Sequence, residues 1–186
     1  MPIPIFLSFP QPHRQSQTRF IERISAYLRE RGLEPRTLGV TEYDVDAPLR
    51  AIRRLLLESN GLITIAFRRL HIAQGTYRKD ADEAAAIGKV APIADRWLTS
   101  PFCQIEPAMA YQLGLPVLIL REEGVQDEGV LEKGVMGINM PVFSLDDPTR
   151  DYLVTPECRA LLRRWEGMVG EVVIARGTPP RLYSSG

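Results

Sequence analysis

The sequence predicts an α/β domain of three layers, with a central, mostly parallel five-stranded sheet between two layers of helices. Three observations carry this prediction. Runs at 3–9, 62–67 and 116–120 are almost wholly apolar and lack the alternation of a half-exposed strand, so they read as strands covered on both faces. Amphipathic helical stretches separate them, and turn signals such as Gly32, Asn60-Gly61 and Gly114 sit at the junctions. Strands that alternate with helices in this way build parallel, doubly wound sheets.

Each element has its own reason. Residues 3–9 form the first strand, expected at the centre of the sheet, and Pro10-Gln-Pro breaks it. A helix then carries Phe20, Ile21, Ile24, Tyr27 and Leu28 on one stripe and ends near Gly32. The short, polar run 33–38 suits a strand at the sheet edge. An acidic loop over 39–48 leads into a helix with Leu49, Ile52, Leu55 and Leu56 inward, for which Asp44 or Asp46 is a candidate cap. Residues 62–67 are the third strand. The pattern weakens over 68–99, a long excursion with an alanine-rich helical piece near 82–87, and structured excursions of that length are often functional.

Ser100-Pro101 then starts a short helix, Gly114 closes it, and the strand at 116–120 follows. The stretch 122–128 reads as a solvated acidic loop and 135–143 as a short last strand. Residues 156–173 form a helix with Leu161, Leu162, Trp165, Met168 and Val172 inward. One domain is expected over 1–175, with a tail at 176–186.

Lys plus Arg, 23 residues, balance Asp plus Glu, also 23, so no global field draws the chain to nucleic acid or an anionic membrane. No run approaches the roughly 18 apolar residues of a membrane span. The apolar N-terminus lacks a basic leader. Cys103 and Cys158 show neither metal-ligand nor disulfide-framework spacing, so no metal is expected and a reducing, cytoplasmic setting is the default.

Ligands of doubly wound sheets bind at the carboxyl ends of the strands. Ser8-Phe9 follows the first strand, Arg68-Arg69 follows the third, and Glu106 lies near the start of the next helix, so all three are expected on one rim. On spacing alone a Glu so placed is most often a partner of the helix dipole.

The opening Ile5-Phe-Leu-Ser-Phe9 resembles the first box of TIR (Toll/interleukin-1 receptor) domains, and the acidic loop at 41–48 sits where those domains place their BB loop. Ser100-Pro-Phe-Cys-Gln-Ile-Glu106 resembles the aromatic-Cys-x-x-Glu segment whose glutamate is catalytic in the TIR domains that cleave NAD. The resemblance spans about 3–172, with 68–99 longer than usual. It implies a flavodoxin-like sandwich, NAD as substrate with no further cofactor, self-association on activation, and a role in antiviral defence or cell-death signalling. Glu106 to Leu120 is similar as well to nucleoside 2-deoxyribosyltransferases, which place a glutamate before an Ala-rich helix and a Gly-x-Pro-Val strand. The sequence departs from the TIR pattern at Pro107, which follows the glutamate directly and places Glu106 in the first helical turn or at a kink.

NAD loses nicotinamide as a neutral base, so no general acid is needed, and one carboxylate suffices to stabilise an oxocarbenium-like ribose. Phe9 and Trp97 are candidates to stack on the rings, Ser8 to bind ribose hydroxyls, Arg68 or Arg69 to meet the pyrophosphate, and Asp44 to touch ligand or a neighbouring subunit. Two alternatives share the fold: an N-glycosidase or deoxyribosyltransferase acting on nucleosides or nucleotides, and a non-catalytic interaction or nucleotide-binding module.

Overall fold

The structure, a computed structural model, describes residues 2–39, 47–81, 90–136, 141–147 and 149–175. Five parallel strands form the central sheet: β1 (Ile3–Ser8), β2 (Leu33–Arg36), β3 (Leu62–Ala66), β6 (Val117–Glu122) and β7 (Val142–Phe143), in the spatial order β2-β1-β3-β6-β7. The middle place belongs to β3, whose five residues are all buried; β1 lies beside it, one strand further out than expected. The polar β2 is at the edge, as its composition requires.

Helices α1 (Gln15–Glu30) and α4 (Pro156–Ala175) cover one face, where Phe20, Ile24, Leu28, Leu162, Trp165 and Val169 pack on Ile5, Leu7, Ile63 and Ile65. Helices α2 (Pro48–Leu57) and α3 (Phe102–Gln112) cover the other, where Ile52, Leu55, Leu56 and Ala110 pack on Phe6 and Leu62. The strict alternation of β1 and β3 divides their side chains between these two cores. In α2 the inward set is Ala51, Ile52, Leu55 and Leu56, while Leu49 is exposed; in α4, Val169 takes the inward place assigned to Met168. Trp165 holds α4 to the sheet, donating its Nε1–H to the Pro116 carbonyl at 3.1 Å.

The excursion resolves into an antiparallel hairpin, β4 (Leu70–Tyr77) with β5 (Ala91–Leu98), outside the main sheet and largely exposed. Its exposure explains the weak pattern: neither strand has a buried face to impose alternation. The expected helical piece near 82–87 lies outside the described residues. So do Asp44 and Asp46; α2 begins with Ala47 at its cap position and Pro48 just inside.

Helix α3 ends in a Schellman motif. The Leu115 N–H reaches the Ala110 carbonyl at 3.0 Å, the Gly114 N–H reaches that of Tyr111 at 2.9 Å, and Gly114 takes a φ of 72°. Gly114→Ala therefore destabilises by about 1–2 kcal/mol, since a Cβ is strained at this φ, and urea unfolding measures the loss. An unchanged midpoint would mean that the helix end re-forms differently.

Candidate active site at the carboxyl ends of β1 and β3

The chain runs from β1 to one neighbour, β2, and returns to the other, β3, so the switch in strand order lies between β1 and β3. Ser8, the last residue of β1, is in register with Thr64 of β3. Both follow Phe6 and Leu62 by two residues, which turns their side chains toward the α2–α3 face. Helix α3 lays Cys103, Glu106, Pro107 and Ala110 against that face, a stripe at i, i+3, i+4 and i+7.

Glu106 thus occupies a position that a purely structural helix fills with an apolar residue. It is the fifth residue of α3, beyond the first turn, and Pro107 leaves the Cys103 carbonyl without its usual helical donor while the helix continues to Gln112. Only 7% of Glu106 is exposed. Burial pushes its carboxyl up to about 7 from an ordinary 4.5; the neighbouring Ser8 hydroxyl pulls partly the other way. A dipole partner in the first turn would instead be solvated and ionised.

Ser8 is 2% exposed and its Oγ makes no hydrogen bond of ordinary length among the described residues. It lies beside the Glu106 carboxyl and the Cys103 thiol. The Thr64 and Thr99 hydroxyls are equally enclosed, and that of Thr99 faces the Cys103 thiol. Cys103 packs between these groups and the Ile65 carbonyl, 3.9 Å from its Sγ. Burial pushes its thiol up to about 12, so it is a neutral wall of the site and no nucleophile. Phe102, the aromatic of the segment, is 40% exposed.

Of the remaining expected residues, those that the structure describes have other partners. Phe9 packs against the α1–α4 core, on the other face of the sheet. Arg68 donates from Nη1 to Asp146 at 2.8 Å and from Nε to the Glu123 carbonyl, and lies over the Trp97 ring with its Cζ 5.9 Å from the centroid. Trp97 anchors the hairpin: its N–H donates to the Gly124 carbonyl at 3.1 Å, its carbonyl accepts from the Gln126 N–H at 2.8 Å, and its ring meets His71 at 4.5 Å. Asp44 lies outside the described residues.

Glu122, assigned to a solvated loop, is instead fully buried at the end of β6. Its carboxylate accepts from the Arg68 N–H at 2.8 Å, Gln17 Nε2 at 3.2 Å and Arg14 Nη1 at 3.3 Å. Gln17 also accepts from the His13 N–H at 3.1 Å. One carboxylate thus ties together the segments leaving β1, β3 and β6 at the rim. Sequence reading missed this, and it missed Thr64 and Thr99. A signal existed for Thr64, the one polar residue within the apolar run at 62–67.

Both cysteines are free and buried, and no cluster of metal-ligating residues occurs among the described residues. No described helix is long and apolar enough to cross a membrane. No protein-family model matches the chain, and no curated protein matches it. Among solved structures it is similar to the CMP N-glycosidase BcmB of Clostridium botulinum, at 15% identity and a TM-score of 0.44, over 76% of this chain and 87% of that one. It is also similar to the TIR domains of the activated Roq1 resistosome that directly recognizes the pathogen effector XopQ, at 14% identity and a TM-score of 0.41, over 99% of this chain and 91% of that one. The chain's own five parallel strands, in the order β2-β1-β3-β6-β7 with helices on both faces, make it a flavodoxin-like α/β sandwich.

Proposed function

We propose that this chain is a TIR-like glycosyl hydrolase that cleaves the nicotinamide–ribose bond of NAD, with Glu106 as its catalytic carboxylate. The observation that carries the reading is a glutamate on the buried stripe of α3, beside the Ser8 hydroxyl at the switch point of the sheet. In this reaction the C1′–N bond breaks and its electron pair leaves with neutral nicotinamide. Positive charge develops on the ribose, facing the ionised Glu106; water then adds at C1′ and releases a proton, leaving ADP-ribose. A cationic pyridinium also favours the ionised form of a carboxyl that is otherwise held near neutrality.

The raised carboxyl supports a second reading on another leaving group. A neutral nucleobase departs more easily when protonated, and an acid near 7 keeps a substantial protonated fraction at neutral pH. Nucleoside or nucleotide N-glycosidase activity, or 2-deoxyribosyl transfer, is therefore the alternative.

The test is release of nicotinamide from NAD and of free base from nucleosides and nucleotides, at high protein concentration, with size-exclusion profiles of the same samples. Nicotinamide release supports the first reading; base release with NAD intact supports the second. No release from assembled protein would overturn both and leave an interaction module. Self-association, a cytoplasmic location and a part in antiviral defence belong to the same proposal, through the resemblance of the Phe102–Glu106 segment to NAD-cleaving TIR domains.

A further inference from the structure

The chain as a whole is neutral, yet one groove concentrates positive charge. It runs between α1 and α4, has a volume of about 430 Å³, and is lined by Arg23 and Arg31 of α1 and by Arg159 and Arg163 of α4, with Glu30 as its one carboxylate among the described residues. These two helices cover the face of the sheet opposite α3, so the groove lies across the sheet from Glu106. Two of the arginines are already engaged. Arg23 meets Asp151, and Arg31 stands 3.8 Å from Glu166 with its Cζ 5.3 Å from the centroid of the Tyr27 ring. The Tyr27 hydroxyl donates to Glu166 at 2.7 Å; burial and this hydrogen bond push the phenol up to about 12, so Tyr27 brings no negative charge.

Arg159 and Arg163 are different. No carboxylate meets either of them among the described residues, and Arg163 uses only its Nε–H, donated to the Arg159 carbonyl at 3.3 Å. They stand four apart on α4, a spacing at which like charges repel, and Arg159 lies in the first turn, where the helix dipole disfavours a cation. An anion between the helices offsets both costs. We propose that the α1–α4 groove binds a small phosphate compound with two or more linked phosphoryl groups, held by the guanidinium forks of Arg159 and Arg163 with Arg31 on the opposite wall. The volume falls within the roughly 300–1,000 Å³ of small-molecule sites. Each fork offers a pair of parallel N–H donors, so three forks supply about six, roughly twice the acceptor oxygens of a single phosphoryl group. Asp151 and Glu166 offset part of the charge at Arg23 and Arg31 but leave the α4 pair uncompensated. The site stands apart from the reading of Glu106 and does not depend on it.

The experiment is isothermal titration and thermal melting of the full chain with pyrophosphate, inorganic phosphate and citrate, with size-exclusion profiles of the same samples. Wild type is expected to bind pyrophosphate about tenfold more tightly than the other two anions, and to melt higher in its presence. Arg159→Ala and Arg163→Ala should each weaken pyrophosphate binding about tenfold, as expected for the loss of a charged hydrogen-bonding partner. Without ligand, both variants should melt no lower than wild type, because a like-charge repulsion is relieved; merely structural arginines would give a lower melting temperature. Arg53→Ala, on α2 at the other face of the sheet, should leave binding unchanged.

Pyrophosphate binding that survives Arg159→Ala and Arg163→Ala together would overturn the site, as would no binding by wild type. Citrate bound as tightly as pyrophosphate would overturn the assignment to phosphate. A dimer that Arg159→Ala dissolves, with no anion bound, would show that a second copy covers the groove and would overturn the site as well. Nicotinamide release by the two α4 variants should equal that of wild type, so this inference and the reading of Glu106 fail separately.

Discussion

Glu106→Gln is expected to reduce base release by about 10²–10⁴-fold while the protein stays folded. The amide keeps the size and polarity of the side chain but cannot ionise opposite the developing ribose cation. Wild-type kcat/KM on NAD should rise with pH through about 7 and level off above it, because burial holds the carboxyl near that value and the ionised form is the active one. A profile that falls over the same range would assign Glu106 as an acid and favour a neutral nucleobase as leaving group.

The same carboxyl makes a stability prediction of known sign. Its folded-state pKa lies above the ordinary 4.5, so between pH 4.5 and 7 the unfolded chain ionises first, and stability falls as pH rises. The full loss above pH 7 is on the order of 3 kcal/mol. Glu106→Gln removes that dependence and should melt higher than wild type at pH 8 and nearly alike at pH 4.5. Parallel melting curves for the two proteins across this range would show that the carboxyl is better solvated than its 7% exposure indicates.

Glu122→Ala should cost about 3–5 kcal/mol of stability, the usual consequence of removing one partner from a buried ionic network. The substitution strands the Arg68 N–H, leaves the Gln17 amide with the Arg68 carbonyl as its acceptor, and frees one arm of Arg14, whose other arm stays on Asp146. Glu122→Gln, which retains an acceptor, should cost less. Urea unfolding with tryptophan fluorescence measures both. A loss within 1 kcal/mol for the alanine variant, against the magnitude expected from that network, would mean that water replaces the carboxylate at the rim.

Legibility followed the physics of each segment. The strands at 3–9, 62–67 and 116–120 were plain because burial on both faces demands an uninterrupted apolar run, and β3 has that burial at all five positions. The hairpin was not, because Leu70–Tyr77 and Ala91–Leu98 are held by each other and by the backbone of Trp97 against Gly124, with little buried surface to pattern the side chains. Within the candidate site, Glu106 and Ser8 were legible from a motif and a strand end. Phe9 was misplaced by one step of strand alternation, which carries a side chain to the opposite face of the sheet. Arg68 and Trp97 were read as ligand contacts by residue type, whereas their observed partners, Asp146 and His71, come from segments far away or across a hairpin that the sequence did not disclose.

The sequence by itself determined the class of the fold, its alternation of strands and helices, and the candidate carboxylate, because periodicity and local motifs are properties of neighbours along the chain. Only the tertiary structure decided the burial of Glu106 and Glu122. Each side chain's environment is assembled from strands and helices distant in sequence, and desolvation, which raises the one carboxyl, depends on all of them together. The same holds for the hydroxyls of Ser8 and Thr64, which belong to β1 and β3 and stand in register only when the sheet has formed.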